Sequence, residues 1–191
     1  MHKIKSKWDD IYAQMEPASV KPTQVLSENL FLLPKQGYAL DLACGLGANS
    51  LLLAQKGLQV SAWDISEVAL EKLAATVISQ GLSVDVKARS IDNTCFVESS
   101  FDVIVVSRFL DRTLTNAIIG ALKVGGLLFY QTYTLIKANQ GGPTNSAFLL
   151  GQAELLQLFN SLQVIYYREN GLIGDLKAGL RNEAQFIGQK L

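Results

Sequence analysis

The stretch Tyr38-Ala39-Leu40-Asp41-Leu42-Ala43-Cys44-Gly45-Leu46-Gly47-Ala48-Asn49 decides the fold. Its first five residues form a short, largely apolar run of the kind found in strands buried on both faces. The run ends in a glycine-rich turn, Cys44-Gly45-Leu46-Gly47. Asn49 to Lys56 then reads as a helix that stops at Gly57. Strand, glycine turn and helix in that order open a parallel β-α-β unit with a right-handed crossover.

The rhythm continues downstream. Leu58 to Trp63 is a second strand, and Ser66 is an N-cap for a helix that has Glu67 in its first turn and reaches about Ser79. Gly81 ends that helix, and Leu82 to Lys87 alternates like a strand. Phe101 to Val106 is β-branched and nearly continuous, as a central parallel strand requires. Arg112 to Lys123 looks helical, and Gly125-Gly126 turns the chain into a fifth strand, Leu127 to Thr132. Two helices, about Ser6 to Met15 and Lys21 to Leu33, precede everything. After the fifth strand come a long loop, Tyr133 to Ser146, a helix from about Gly151 to Asn160, and strands Leu162 to Arg168 and Arg181 to Gln189. The segment between those strands holds Gly171, Gly174 and Gly179 and shows no helix-length pattern, so the two are expected to pair antiparallel. The pattern predicts an α/β fold: a Rossmann-like, doubly wound, mostly parallel seven-stranded sheet with an antiparallel last strand and helices on both faces.

Composition narrows the chemistry. The 191 residues suit one domain, and 49% hydrophobic residues are ample for a core. Seventeen basic against 17 acidic groups, with no long basic run, argue against a nucleic acid or an anionic membrane held mainly by charge. No apolar run approaches the length of a membrane helix, and no apolar segment follows the basic N-terminus as in a targeting sequence. Cys44 and Cys95 cannot build a disulfide framework and suggest a reducing compartment, the cytoplasm. The sole histidine is His2, which leaves no Ser-His-Asp or Cys-His triad and no histidine-based metal site.

The glycine turn sits where ligands bind in open parallel sheets, at the carboxyl ends of the strands. Its small residues let a ligand touch backbone, and the following helix offers free N–H groups. A dinucleotide site would want G-x-G-x-x-G, yet Gly45 and Gly47 are followed by Ser50. A tight turn with no ligand is the plain alternative. Asp64 shifts the balance toward a nucleoside: it ends the second strand, at what reads as a solvent-facing strand end, where a carboxylate can accept both ribose hydroxyls.

Ala39 to Asn49 together with Trp63-Asp64-Ile65-Ser66 resembles the cofactor site of class I S-adenosylmethionine-dependent methyltransferases. The glycine turn with its following asparagine is similar to that of the small tellurite-resistance-like members. Trp8-Asp9-Asp10-Ile11-Tyr12 resembles that subgroup's aromatic lead-in, Gly125 to Thr132 its fifth-strand entry, and Gly142-Pro143-Thr144-Asn145 with Phe148-Leu149-Leu150 and Glu154-Leu155 its later run.

The resemblance implies S-adenosylmethionine as cofactor, a small-molecule methyl acceptor and no metal. It implies three segments: a helical lid over 1–35, a cofactor half over 36–132 and an acceptor side over 133–191. Asp41 would hold the methionine ammonium, through water or by orienting the loop. Ala43, Gly45 and Gly47 would line the methionine moiety, with Asn49 beside them. Asp64 would take the ribose and Ile65 one adenine face. Ser90, Ile91 and Asp92 would meet the adenine edge, and Ser107 and Arg108 would face the sulfonium and the acceptor. Trp8 and Tyr12 either lid the pocket or form a simple apolar stripe. The chain departs from the pattern at Ala48, where the family often has arginine, at Ser90, where an adenine-binding aspartate is usual, and at Asp111, where a histidine is frequent.

An alcohol acceptor needs a general base, whereas a thiolate or reduced chalcogen does not. The bases in reach are Asp111, Glu154, Tyr12, Tyr130, Tyr133 and Asp9, and Arg108, Asp111 and Tyr133 are the catalytic candidates. The scarcity of bases tilts the reading toward a soft or self-ionised acceptor. The rival readings are a module that binds S-adenosylmethionine without turnover and, more weakly, a nucleotide-dependent oxidoreductase.

Overall fold

The structure is a computed structural model that describes residues 2–191, the His2 side chain excepted. The elements run α1 (His2–Ala13), α2 (Gln24–Ser27), β1 (Tyr38–Leu42), α3 (Ala48–Gln55), β2 (Gln59–Asp64), α4 (Glu67–Ser79), β3 (Val84–Ala88), β4 (Phe101–Ser107), α5 (Thr115–Ala121), β5 (Leu122–Tyr133), α6 (Glu154–Leu158), β6 (Gln163–Glu169) and β7 (Glu183–Gln189). The strands form one sheet in the order β3-β2-β1-β4-β5-β7-β6. The first five are parallel; β7 runs antiparallel to both β5 and β6. This is the doubly wound seven-stranded sheet that the sequence pattern implies.

Side-chain alternation along the strands divides the core. Leu40, Leu42, Ile104, Val106, Leu128 and Phe186 pack on one face with Leu114, Ile118, Leu155 and Phe159. Ala39, Val103, Val105, Phe129 and Ile187 pack on the other with Val25, Leu26 and Leu53. Leu70, Leu73 and Val77 of α4 join Ala62 and Cys44 in a third cluster behind the glycine turn.

Four helices differ from the sequence pattern, and the first, expected over about Ser6–Met15, runs over His2–Ala13. The segment expected to be helical over Lys21–Leu33 forms only one helical turn, Gln24–Ser27, and a separate 3-10 turn, Leu30–Leu32. Asn29 leaves the helical region and its side-chain amide donates to the Val25 carbonyl (3.0 Å), which closes the first turn. The helix expected over Arg112–Lys123 begins as a 3-10 turn that Asp111 caps, and it stops at Ala121. Leu122 is needed as the buried partner of Phe101, so β5 starts three residues before the glycine pair and five before the expected Leu127. The helix expected from Gly151 starts at Glu154, after Ala153 takes a left-handed φ of 55°.

Candidate active site

The chain winds outward from β1 to β3 in one direction and from β4 to β5 in the other, so the switch point lies between β1 and β4. Ligands of doubly wound sheets bind outside the carboxyl ends of the strands at that point. Gly45 and Gly47 occupy it, at φ 53° and 76°, and Ala43 shares the left-handed region at φ 56°. The missing Cβ groups serve different neighbours. A Cβ on Gly47 would stand 2.6 Å from Leu73 Cδ2 and 2.9 Å from its Cγ, so this glycine lets α4 close on the turn. A Cβ on Gly45 would stand 2.6 Å from the Tyr12 hydroxyl. Ser50, at the place of the absent third glycine, donates to Asp41 Oδ2 (2.6 Å).

Asp64 is not the open strand end that its sequence position suggests: it is only 5% exposed. Its Oδ2 accepts from the Gly45 N–H (2.8 Å) and its Oδ1 from the Ser66 N–H (2.9 Å), so the carboxylate ties the glycine turn to the start of α4. Burial raises its pKa despite these bonds. Asp41 is fully buried, and burial pushes its pKa up to about 7 against the pull of Ser50. Its second oxygen, Oδ1, is buried without a hydrogen-bond partner. An orphaned carboxylate oxygen is costly unless a donor reaches it.

Helix α1 lies over this turn. Asp9 accepts from Ser66 Oγ (2.7 Å) and, weakly, from the Val68 N–H (3.4 Å), while Ser66 Oγ itself caps α4 by accepting from the Ala69 N–H. At the other end, Lys72 Nζ donates to the carbonyls of Tyr12, Ala13 and Met15 (2.9, 3.1 and 2.7 Å). Clamped by α4 at both ends, α1 holds Tyr12 against Gly45 and stacks Trp8 on Tyr12, 5.7 Å between centroids. Burial first, then the nearby Asp64, raises the Tyr12 pKa. Tyr12 therefore lies against the glycine turn, and Trp8 stacks on it from outside.

The other sequence-derived residues are placed as follows. Asn49 braces the fold: its oxygen accepts from Thr23 N and Oγ1 (2.9 and 3.1 Å) and its amide donates to Ser107 Oγ (3.2 Å). Ile65 is half-buried. The Arg89 N–H donates to the Asp64 carbonyl, which brings the Ser90–Asp92 loop alongside the site. Ser90 is exposed, and Ile91 packs on the core cluster that contains Trp63. Asp92 accepts from Thr94 N and Oγ1 (2.8 and 2.6 Å), bonds that lower its pKa. Of the catalytic candidates, Arg108 and Tyr133 come together. Asp111 is instead committed to Thr113 N and Oγ1 (2.9 and 2.6 Å). Glu154 is held by Arg112 and the Gly151 N–H, and the Tyr130 hydroxyl donates to the Phe109 carbonyl. Cys44 is buried and its thiol is pushed well up by that burial, the signature of a packing residue.

Sequence reasoning missed a buried polar network at the ends of β5 and β7. Arg108 Nε donates to Glu183 Oε1 (3.1 Å), the Gln131 amide donates to Glu183 Oε2, and Gln131 Oε1 accepts from the Val25 N–H (2.9 Å) and from Gln185 Nε2 (3.0 Å). The available signal was the presence of Gln131, Glu183 and Gln185 inside strands that are otherwise apolar. Among the described residues, no three His, Cys, Asp or Glu side chains gather as a metal site.

Comparison with known proteins fits this geometry. The methyltransferase domain family matches residues 39–126, from the start of β1 into β5. A probable S-adenosyl-L-methionine-dependent methyltransferase, TehB of Haemophilus influenzae, is 31% identical over 143 residues, 69% of this chain and 48% of that protein. The chain is similar to the TehB-like class I methyltransferases. A ubiquinone biosynthesis O-methyltransferase of Idiomarina loihiensis is 29% identical over 99 residues, 49% of this chain and 41% of that one. The chain thus spans about half the length of the curated relatives it matches. The crystal structure of Haemophilus influenzae TehB superimposes with a TM-score of 0.72 at 22% identity, over 96% of this chain and 67% of that one. At that identity, the superposition speaks for the fold. S-adenosylmethionine is the cofactor of the methyltransferases this chain resembles, and one observation fits it: the orphaned Asp41 oxygen, which an ammonium could satisfy.

Proposed function

We propose that this methyltransferase moves the methyl group of S-adenosylmethionine to a small-molecule acceptor that is soft or already ionised, a thiol or chalcogen. The observation that carries the acceptor class is the fate of the bases. Asp9, Asp111, Glu154 and Glu183 are each held by donors of the protein itself, and burial raises the Tyr12 and Tyr133 phenols. No free carboxylate stands among these candidates, so an acceptor that arrives already ionised, or is soft enough to need no base, matches the site better than an alcohol.

When bound, the cofactor supplies an electrophilic methyl on its sulfonium. The chain's own work is binding, alignment and exclusion of water. Asp64 takes the ribose hydroxyls on the lone pairs that Gly45 and Ser66 leave free. Asp41 receives the ammonium, and the backbone of Ala43, Gly45 and Gly47 lines the methionine portion. Ile65 lies on an adenine face with Ser90 and Ile91 at its edge, Ser107 and Arg108 face the acceptor, and Trp8 and Tyr12 close over the top. Asn49 supports this site by fixing Ser107 and Thr23, and Asp92 by shaping the Ser90 loop. Within residues 1–191, segment 1–35 covers the site, 36–132 holds the cofactor and 133–191 faces the acceptor. The setting is the cytoplasm, and the partner is a small molecule rather than nucleic acid or membrane.

Two measurements test the proposal. S-adenosylhomocysteine at about a hundred times its dissociation constant should add roughly 2.7 kcal/mol of stability. Asp64→Asn should cost about 1.5–3 kcal/mol in that affinity for each charged hydrogen bond lost, read by calorimetry on protein whose circular dichroism is native. No binding at millimolar S-adenosylhomocysteine overturns the whole proposal. Binding without transfer of labelled methyl to any of a thiol, selenide, amine and phenol panel overturns the catalytic part and leaves a binding module.

A further inference from the structure

Arg108 is held in a way that the cofactor reading does not use. It is the first residue past β4, at a left-handed φ of 51°, and its backbone N–H donates to the Gln131 carbonyl (2.8 Å). A non-glycine residue in that region costs about 1–2 kcal/mol. The turn points the side chain across the strand ends toward β7, where Nε donates to Glu183 Oε1. Glu183 is nearly buried and its other oxygen is taken by the Gln131 amide. Gln131 is anchored in turn by Val25 and Gln185. The carboxylate is therefore fully engaged and grips the guanidinium only at Nε. Among the described residues, neither Nη1 nor Nη2 has a protein hydrogen-bond partner, and the Arg108 side chain is 52% exposed. Its other polar neighbours are the Tyr12 and Tyr133 phenols, neutral at physiological pH.

A guanidinium fixed from behind, with its Nη pair open, is half of the bidentate pair that a carboxylate or oxyanion completes. Glu183 and Gln131 act here as positioning residues, because they set the plane of the fork without touching the ligand. We propose that Arg108 selects the acceptor by charge: the acceptor carries an anionic oxygen group close to its nucleophilic atom, and the Nη pair holds that group between the ends of β4 and β7. The proposal rests on the methyl-transfer reading for the word acceptor, but the anion site can be tested by binding alone.

The test titrates 2-mercaptobenzoate and its neutral amide, 2-mercaptobenzamide, into protein saturated with S-adenosylhomocysteine, read by calorimetry. The acid should bind about 10- to 100-fold more tightly, the range of a charge-assisted pair. Arg108→Gln should erase that ratio and Arg108→Lys should keep part of it. Equal binding of acid and amide to the unaltered protein overturns the proposal, as does failure of both to bind at millimolar concentration. A ratio that survives Arg108→Gln also overturns it. So does a tenfold loss of S-adenosylhomocysteine affinity in Arg108→Gln without loss for 5′-methylthioadenosine, which would give the fork to the cofactor's own carboxylate. Should the binding ratio hold while labelled S-adenosylmethionine methylates neither these thiols nor any member of the thiol, selenide, amine and phenol panel, the methyl-transfer reading falls and the anion site stands.

Discussion

Substituting alanine at Gly45 and at Gly47 should separate the two tasks of the glycine turn. Both residues have left-handed φ, so each substitution carries the same backbone cost of about 1–2 kcal/mol. That cost alone is survivable, since Ala43 already sits at φ 56° in the same turn. The difference lies in what the new methyl meets. At Gly47 it enters the branched end of Leu73, a fully buried side chain of α4 packed among Cys44, Ala62, Leu70 and Val77. Overpacking of that kind costs about 1–3 kcal/mol more. Gly47→Ala should therefore lose about 2–5 kcal/mol, a large part of the 5–15 that a domain has. At Gly45 the methyl meets only the hydroxyl end of Tyr12, which can swing out on its own rotamers. Gly45→Ala should lose only the backbone cost of about 1–2 kcal/mol, yet it displaces Tyr12 and so uncovers the turn against which a ligand's methionine portion would lie. Urea unfolding at matched slopes gives the stabilities, and calorimetry with S-adenosylhomocysteine gives the affinities. Gly47→Ala should be the less stable variant and Gly45→Ala the weaker binder. Equal stability losses, or a Gly47→Ala protein as stable as the parent, would refute the packing argument.

Two further outcomes are expected. An unfolded Asp41 ionises near 3.8, whereas burial holds its proton to about 7 in the native state. The folded protein thus binds more protons across that window, and this residue's contribution to stability falls as pH rises from about 4 to 7. Asp41→Asn should flatten that part of a stability–pH profile measured without ligand, and an unchanged profile would remove Asp41 as the cause. Ser90→Asp should tighten S-adenosylhomocysteine by up to about 1 kcal/mol, because a carboxylate replaces a neutral hydroxyl at the adenine edge while Asp92 stays occupied with Thr94. Weaker binding would show like-charge repulsion from Asp92 and a different placement of the loop.

The fold was legible because its signals are local and periodic. β4 reads as a strand from Phe101-Asp102-Val103-Ile104-Val105-Val106 alone, and Ser66 with Glu67 marks the start of α4 correctly. Boundaries failed where a distant partner decided them. Leu122 belongs to β5 only because Phe101 lies opposite, and the Lys21–Leu33 segment breaks because Asn29 turns back on Val25 while the Val25 N–H is bonded to Gln131. Neither partner is visible in a window of neighbouring residues.

The site shows the same division. Gly45, Gly47 and Asp64 could be singled out because turn chemistry and strand-end position are read along the chain. What Asp64 does could not, because its two donors and its burial depend on α4 and the turn closing around it. The network around Arg108 is more instructive. Gln131, Glu183 and Gln185 are each unremarkable alone, and the strand containing two of them begins 52 residues after the first. Yet burying a carboxylate, two amides and half of a guanidinium at strand ends costs several kcal/mol unless they satisfy one another. A chain that needed only a stable sheet would be served as well by apolar residues at those positions. Polar residues inside a buried strand are therefore the sequence signal worth following when a site's second half is sought. In this chain that signal leads to Arg108, whose guanidinium Glu183 grips at Nε alone.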